Sequence, residues 1–477
     1  MIAVDCEVKM FSFISESKQT KLKGDPAFPR RRTSGPCKNG ALSGISGTIV
    51  TRCRTFGQGL RSLSIDSLGC LRRLTIYFRS DWLERFGVKA DGNLGEKREP
   101  LGMTESLRMT AGVEHQDEPL YTLEEILQQP VLWPTTVARV RTASEQLNLT
   151  RRLSRVRVLL TGAGSSAYAA SSVASAWPGA MAVPTTDLLV DAERYLTGVG
   201  AVISLARSGD SPESAAVVDR VRTLHPEILQ LAITCNHDSL LAQSGLEGLI
   251  VLDPRTNDRS LVMTGSFSNL VLAGLSLAQP DIVAQHTDSA SERARTLLPV
   301  IDKGCQRIAA GIRDRIVVLC SSPLLGWGRE AGLKILEMTA GRFPVVTETY
   351  LGLRHGPMSF LRPDTLVLCL LSSEPTRRLY EVDLIQELRS KKLGYLVGIA
   401  GAGEHVSGFS DVLPAVLPDA PDDLRTPFEI LIPQLLGYHL SLRLGLNPDN
   451  PSPEGVISRV VQGVKIHSAS SNRPGTS

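Results

Sequence analysis

Cysteine is scarce in this chain: eight residues in 477, with no two in a CxxC pair. That argues against a disulfide scaffold, and no His/Cys cluster stands at ligand spacing, so no structural metal is expected. Cys235, Cys320 and Cys369 lie in or beside apolar runs, where small thiols are usually buried, and a reducing cytoplasm fits them. Long apolar runs are missing as well. The longest candidate, Leu270–Ala278, falls far short of a membrane span and reads as a buried helix. Neither sign of charge dominates, since the formal net charge is +3 with 21% charged residues. What remains is the composition of a globular protein long enough for two substantial cores.

Charge is unevenly spread. Residues 1–80 hold 14 Lys/Arg against 5 Asp/Glu, a net of +9, and the rest of the chain carries −6. Residues 1–102 are rich in Ser, Gly and Arg, include the cluster Arg30-Arg31-Arg32, and lack sustained periodicity. They are read as a disordered, non-conforming extension, with Met103 or Met109 opening the working protein. A basic, Ser-rich leader has a similar composition. No nucleic-acid-binding motif accompanies the charge, so no nucleic-acid partner is expected. Residues 103–150 form a helical lead-in, in which Thr122 and Glu125 have the spacing of a capping box.

From there strands and helices alternate. Val156–Leu160, Ala201–Leu205, Leu229–Thr234 and Leu249–Leu252 read as strands of a first half, residues 151–300. Ile316–Cys320, Pro344–Glu348, Thr365–Leu371 and Tyr395–Ile399 read as those of a second, residues 301–467. Residues 468–477 are expected to be a disordered tail. The alternation predicts an α/β protein with parallel sheets covered by helices on both faces.

Three stretches carry the chemistry. In Val158-Leu159-Leu160-Thr161-Gly162-Ala163-Gly164-Ser165-Ser166 a strand runs into a small, hydroxyl-bearing turn that opens a helix. It lacks the third glycine of a dinucleotide fingerprint, and Asp187 lies at no evident strand end. The stretch Ser204-Leu205-Ala206-Arg207-Ser208-Gly209-Asp210-Ser211-Pro212-Glu213-Ser214 has the same form. Ser211 suits the cap and Pro212 the first turn, so free amides and hydroxyls converge as for a phosphate. In Glu330-Ala331-Gly332-Leu333-Lys334-Ile335-Leu336-Glu337 helical spacing puts Glu330, Lys334 and Glu337 on one face. His355 follows in Arg354-His355-Gly356-Pro357. Two carboxylates around an ammonium, with a nearby His, suit proton shuttling on a sugar carbon.

Together these motifs resemble the sugar isomerase (SIS) domain superfamily, and more closely its AgaS-type members, described as tagatose-6-phosphate ketose/aldose isomerases or galactosamine-6-phosphate deaminases. The resemblance covers roughly Leu120 to His467 and includes Pro184-Thr185-Thr186-Asp187, Ile233-Thr234-Cys235-Asn236 and Ser458 to His467. It implies two tandem SIS-type, flavodoxin-like αβα sandwich subdomains. It further implies that Ser166, Arg207, Ser208 and Ser211 hold a sugar phosphate and that Glu337 is the general base. Lys334 and Glu330 would support it, His355 would assist ring opening, and Thr264 and Ser266 would contact the sugar.

One departure narrows the reading. Related glucosamine-6-phosphate synthases have an N-terminal glutaminase domain and a tail Lys that forms a Schiff base. Here residues 1–120 are too short for that domain, and Gln462 stands at the Lys position, with Lys465 out of register. The leading reading is therefore an amino-sugar-6-phosphate deaminase/isomerase that needs no metal or organic cofactor. Galactosamine 6-phosphate is the candidate substrate. A plain ketose/aldose isomerase and a non-catalytic sugar-phosphate sensor stay open. The expected partners are a sugar phosphate and a second copy of the chain, with no membrane.

Overall fold

The computed structural model describes residues 60–68, 71–78, 120–311, 314–401 and 407–467. The chain divides into a unit of residues 1–111 and one of residues 112–477. In the first, β1 (Leu60–Leu68) pairs antiparallel with β2 (Leu71–Phe78). This hairpin was not anticipated: alternation such as Leu63-Ser64-Ile65 and Leu74-Thr75-Ile76 spans too few positions to stand out from the Arg- and Ser-rich composition. The expected tail, residues 468–477, and the rest of residues 1–102 lie outside the described residues.

The second unit holds two parallel sheets. One contains β3 (Val158–Gly162), β4 (Met181–Pro184), β5 (Ala201–Ala206), β6 (Leu229–Thr234) and β7 (Gly248–Val251), in the order β4-β3-β5-β6-β7. The other contains β8 (Ile316–Cys320), β9 (Val345–Thr349), β10 (Leu366–Leu370), β11 (Tyr395–Ala400) and β12 (Asp411–Pro414), in the order β12-β11-β10-β8-β9. Counted within its own half, each sheet runs 2-1-3-4-5, the flavodoxin-like order. Every expected strand is present, displaced by a residue or two at most at either end. The sequence reading missed β4 and β12, each four residues long and at a sheet edge, where few residues face a core and hydrophobic periodicity has no room to appear. With β4 in place, Asp187 does follow a strand end, in the first turn of the short helix Thr185–Val190.

The helices used below are α1 (Tyr121–Leu127), α2 (Gln129–Gln146), α3 (Ser165–Ser175), α4 (Pro212–Leu224), α5 (Gly265–Ala278), α6 (Pro280–Gly311), α7 (Leu325–Met338), α8 (Pro375–Ser390), α9 (Asp422–Glu429) and α10 (Leu431–Arg443). The apolar run read as a buried helix is α5, whose residues Gly265–Ser276 are all buried. Burying each of its Leu and Phe side chains contributes about 1.5–3 kcal/mol. α2, α3 and α6 pack on α5, and α7 packs on both α3 and α10. One hydrophobic cluster therefore runs from Val158 and Ile203 through Phe267 and Ala331 to Val318 and Leu368, joining the two halves. Where α7 crosses α3, a Cβ on Gly326 would lie 2.1 Å from Ser172 Oγ, so only glycine permits that approach. This crossing brings the Glu/Lys/Glu helix of the second half to the serine turns of the first.

The capping-box expectation is corrected. Leu120 is the N-cap of α1, and Thr122 lies within the helix, bonding the Asp449 carboxylate through its amide and hydroxyl at 2.8 and 2.7 Å. Glu125 turns away to accept the Arg259 and Ser260 amides. Both side chains have distant partners that local spacing cannot reveal.

Candidate active site

β3 and β5 are neighbours, with Leu160 opposite Ile203 and Thr161 opposite Ser204, so their two turns emerge side by side. This is the point where strand order reverses, where sheets of this kind bind ligands. The amides of Gly164, Ser165, Gly209 and Ser211 have no acceptor among the described residues. Gly209 takes φ +67°, and a Cβ there would meet Ser239 Oγ at 2.4 Å. Ser211 is the N-cap of α4 as expected, but its hydroxyl donates to Glu213 Oε2 at 2.5 Å instead of accepting a helix amide. The Ser208 hydroxyl accepts the Asp210 amide at 3.3 Å, and that of Ser166 lies 3.9 Å from Met263 Sδ.

Opposite the turns, α7 presents its charged face as the spacing predicted. Lys334 is fully buried, its Nζ 2.5 Å from Glu337 Oε2 and 3.5 Å from Glu330 Oε1. Glu330 is also fully buried, with the Ser165 side chain and the Lys334 ammonium as its polar neighbours. Burial pushes its carboxyl up to about 8, with the Lys334 charge pulling the other way and Glu337 adding to the rise. Burial also opposes the charge on Lys334, yet Glu330 and Glu337 hold its ammonium above the ordinary lysine value. The consistent state at neutral pH is a protonated Glu330 beneath a charged Lys334 that pairs with Glu337. Glu337 alone of the three lines the cavity.

That cavity, about 450 Å³, is bounded by Ser165, Ser166, Arg207, Ser208, Ser211 and Glu337, with residues 456–462 of the C-terminal segment across its mouth. Arg207 does more than face it. Its guanidinium donates to the carbonyls of Ser260, Leu261 and Arg459. Burial lowers its pKa, offset in part by Asp258. Arg459 in turn donates to the Asp258 carbonyl at 2.6 and 2.8 Å and to Asn257 Oδ1 at 2.7 Å. Arg207 and Arg459 thus tie the C-terminal segment over the serine turns. Sequence reasoning did not single out Arg459, although it lies inside the Ser458–His467 motif.

Thr264 and Ser266 are fully buried, and both hydroxyls donate to the Asp258 carboxylate, which also accepts three amides at the start of α5. Asp258 thereby caps α5, and Met263 and Leu261 line the cavity in place of Thr264 and Ser266. Glu125, which holds the Arg259–Ser260 backbone of the same loop, is raised to about 7 by burial first and the charge of Asp258 second. His355 is the other displaced residue. It is exposed, between the short helices Tyr350–Leu353 and Pro357–Phe360, and is not among the cavity residues. Gln462 does line the cavity, whereas Lys465 does not.

Two tandem flavodoxin-like halves, with two serine-bearing turns lining the same cavity as Glu337 of the Glu–Lys pair on α7, define an SIS-type α/β protein. Comparison with known proteins agrees. No family model matches the chain. A D-galactosamine-6-phosphate deaminase AgaS of Escherichia coli is 34% identical over 383 residues, covering 73% of this chain and 95% of that protein. One from Shewanella sp. (strain ANA-3) is 35% identical over 371 residues, covering 73% and 92%. The crystal structure of a tagatose-6-phosphate ketose/aldose isomerase from Escherichia coli superposes with a TM-score of 0.66 at 31% identity, covering 73% of this chain and 96% of that one. The chain belongs to the AgaS family of SIS-domain proteins.

Proposed function

We propose that this chain is an aldosamine-6-phosphate deaminase, with galactosamine 6-phosphate as the first substrate to test. The observation that carries the reading is Glu337: a carboxylate that opens onto the cavity opposite the unpaired amides of both serine turns, with a buried ammonium at 2.5 Å. The phosphate is held by the amides and hydroxyls of Ser165–Ser166 and Ser208–Ser211, at the N-termini of two helices. Once the ring opens, Glu337 takes the proton from C2 and returns it to C1 through an enolamine. The aldehyde becomes a primary alcohol and the C2 amine an imine. Water adds to the imine carbon and ammonia leaves, so aldosamine phosphate plus water gives ketose phosphate plus ammonia.

Purified protein given galactosamine 6-phosphate should release ammonia in step with a ketose phosphate, and release less with glucosamine 6-phosphate. A ketose/aldose interconversion with no ammonia from either amino sugar would transfer the reading to a plain isomerase, which uses the same base. That second reading is favoured by the Escherichia coli structural neighbour. The four cysteines among the described residues are free and buried, in keeping with a reducing cytoplasm.

His355 lies away from the cavity of its own chain, and we place it in the site of a second copy, in a homodimer or larger assembly. Glu337→Gln and His355→Ala should each be inactive alone. After subunit exchange, random pairing should restore about a quarter of wild-type activity, because half the dimers then hold one intact site. No recovery after verified exchange would assign His355 a role within its own chain.

A further inference from the structure

The second sheet has a crevice of its own. β8 and β10 are neighbours at the reversal of strand order, as β3 and β5 are in the first. The turn Leu371-Ser372-Ser373-Glu374 leads from β10 into α8 with Pro375 at its start, just as Arg207–Ser211 leads from β5 into α4 with Pro212 at its start. The parts match, but their donors are engaged differently. In the second half Glu381 accepts the Ser372 amide at 2.8 Å and the Ser321 hydroxyl at 2.6 Å. Glu374 accepts the amides of Thr376 and Arg377 at 3.0 and 2.8 Å.

The Glu374 amide donates to the Ser372 hydroxyl at 3.0 Å, and Asp422, the first residue of α9, accepts the other donors of the turn. Its carboxylate takes the Ser373 amide at 2.8 Å, the Ser373 hydroxyl at 3.1 Å and the Ser372 hydroxyl. Arg377 at 2.8 Å and Arg425 at 3.1 Å complete the shell. The loop after the fifth strand supplies Leu261 and Met263 to the first crevice, and here the first residue of the helix beyond that loop supplies an anion. Burial opposes the charge of Asp422, yet the hydrogen bonds from Ser372 and Ser373 and the charge of Arg425 hold its carboxyl below the usual range. Arg425 is fully buried, with its Nε 3.6 Å from Glu429 Oε1 and its Nη2 without a hydrogen-bond partner among the described residues. Its Nη1 also donates to the Leu371 carbonyl at 2.7 Å, so Nη2 is the cationic donor left over once Asp422, Glu429 and Leu371 are counted.

We propose that Asp422 is a built-in anion occupying, in the second half, the place where the first half takes the substrate's phosphate, so that each chain has one open and one internally closed oxyanion site. The proposal rests on the sugar-phosphate reading only for the first crevice. Removing the side chain uncovers two serine hydroxyls, an amide and two guanidinium groups, a set that suits inorganic phosphate or sulfate better than chloride.

The test is thermal unfolding of the full chain with Asp422→Gly, alongside wild type, in inorganic phosphate and in chloride of equal ionic strength. The variant should melt well below wild type in chloride and recover several degrees more than wild type does in phosphate. Equilibrium dialysis with labelled phosphate should count one further ion per chain. An equal phosphate response in both proteins, with no added ion bound, overturns the proposal. Should the glycine variant not fold in either buffer, Asp422→Ala carries the same comparison. A response in the variant but none in wild type would uphold the closed site while removing phosphate binding from the first crevice.

Discussion

Glu337→Gln should leave a folded protein that still binds sugar phosphate but turns it over at least about 100-fold more slowly, the lower end of what a positioned general base contributes. Glutamine keeps the length of the side chain and an oxygen for the Lys334 ammonium, now 2.5 Å from the carboxylate. It cannot take a proton from carbon. The amides proposed to hold the phosphate lie in the turns after β3 and β5, not on α7, so the affinity they would provide should be untouched. Steady-state kinetics with calorimetric binding of a sugar phosphate separates the two effects. Loss of binding in parallel with turnover would make Glu337 a residue of the fold, not of the chemistry.

The second large effect is on stability. Lys334→Ala should cost about 3 kcal/mol, since it empties the space of a long, fully buried side chain and strips Glu337 of its partner. Glu330 softens the loss: with its carboxyl pushed up to about 8 it stays protonated at pH 7 and leaves no second unpaired charge. Lys334→Met fills the same volume without the charge. It should recover much of the stability in urea titrations at pH 7, yet remain inactive. Equal destabilisation by both variants would show that charge pairing, not packing, dominates at this position.

How far the sequence anticipated this site depends on the distance over which each feature is decided. The Glu330/Lys334/Glu337 face is a matter of helical period, and the serine turns follow strands whose apolar runs are plain, so both were legible. Thr264 and Ser266 are sugar contacts only by what the family resemblance implies. Their partner is Asp258, six and eight positions away in the same loop, and only its conformation shows this. Arg207 was read as a phosphate ligand. That it also holds the C-terminal segment follows from a contact with Arg459 spanning 252 positions, which no local pattern encodes. His355 was legible as a motif, but its separation from the cavity was not.

By itself, then, the chain determined its alternation of strands and helices, its doubled architecture, the serine turns at helix starts and the charged face of α7, because each is set by side-chain period and backbone preference over a few residues. Tertiary structure decided which of these meet. The glycine crossing of α7 on α3, the pairing of β3 with β5, and the C-terminal segment drawn over the turns by Arg207 and Arg459 bring together residues from 43 to 252 positions apart. Such placement depends on complementary surfaces closing together, a property of the packed whole that no stretch of sequence carries alone.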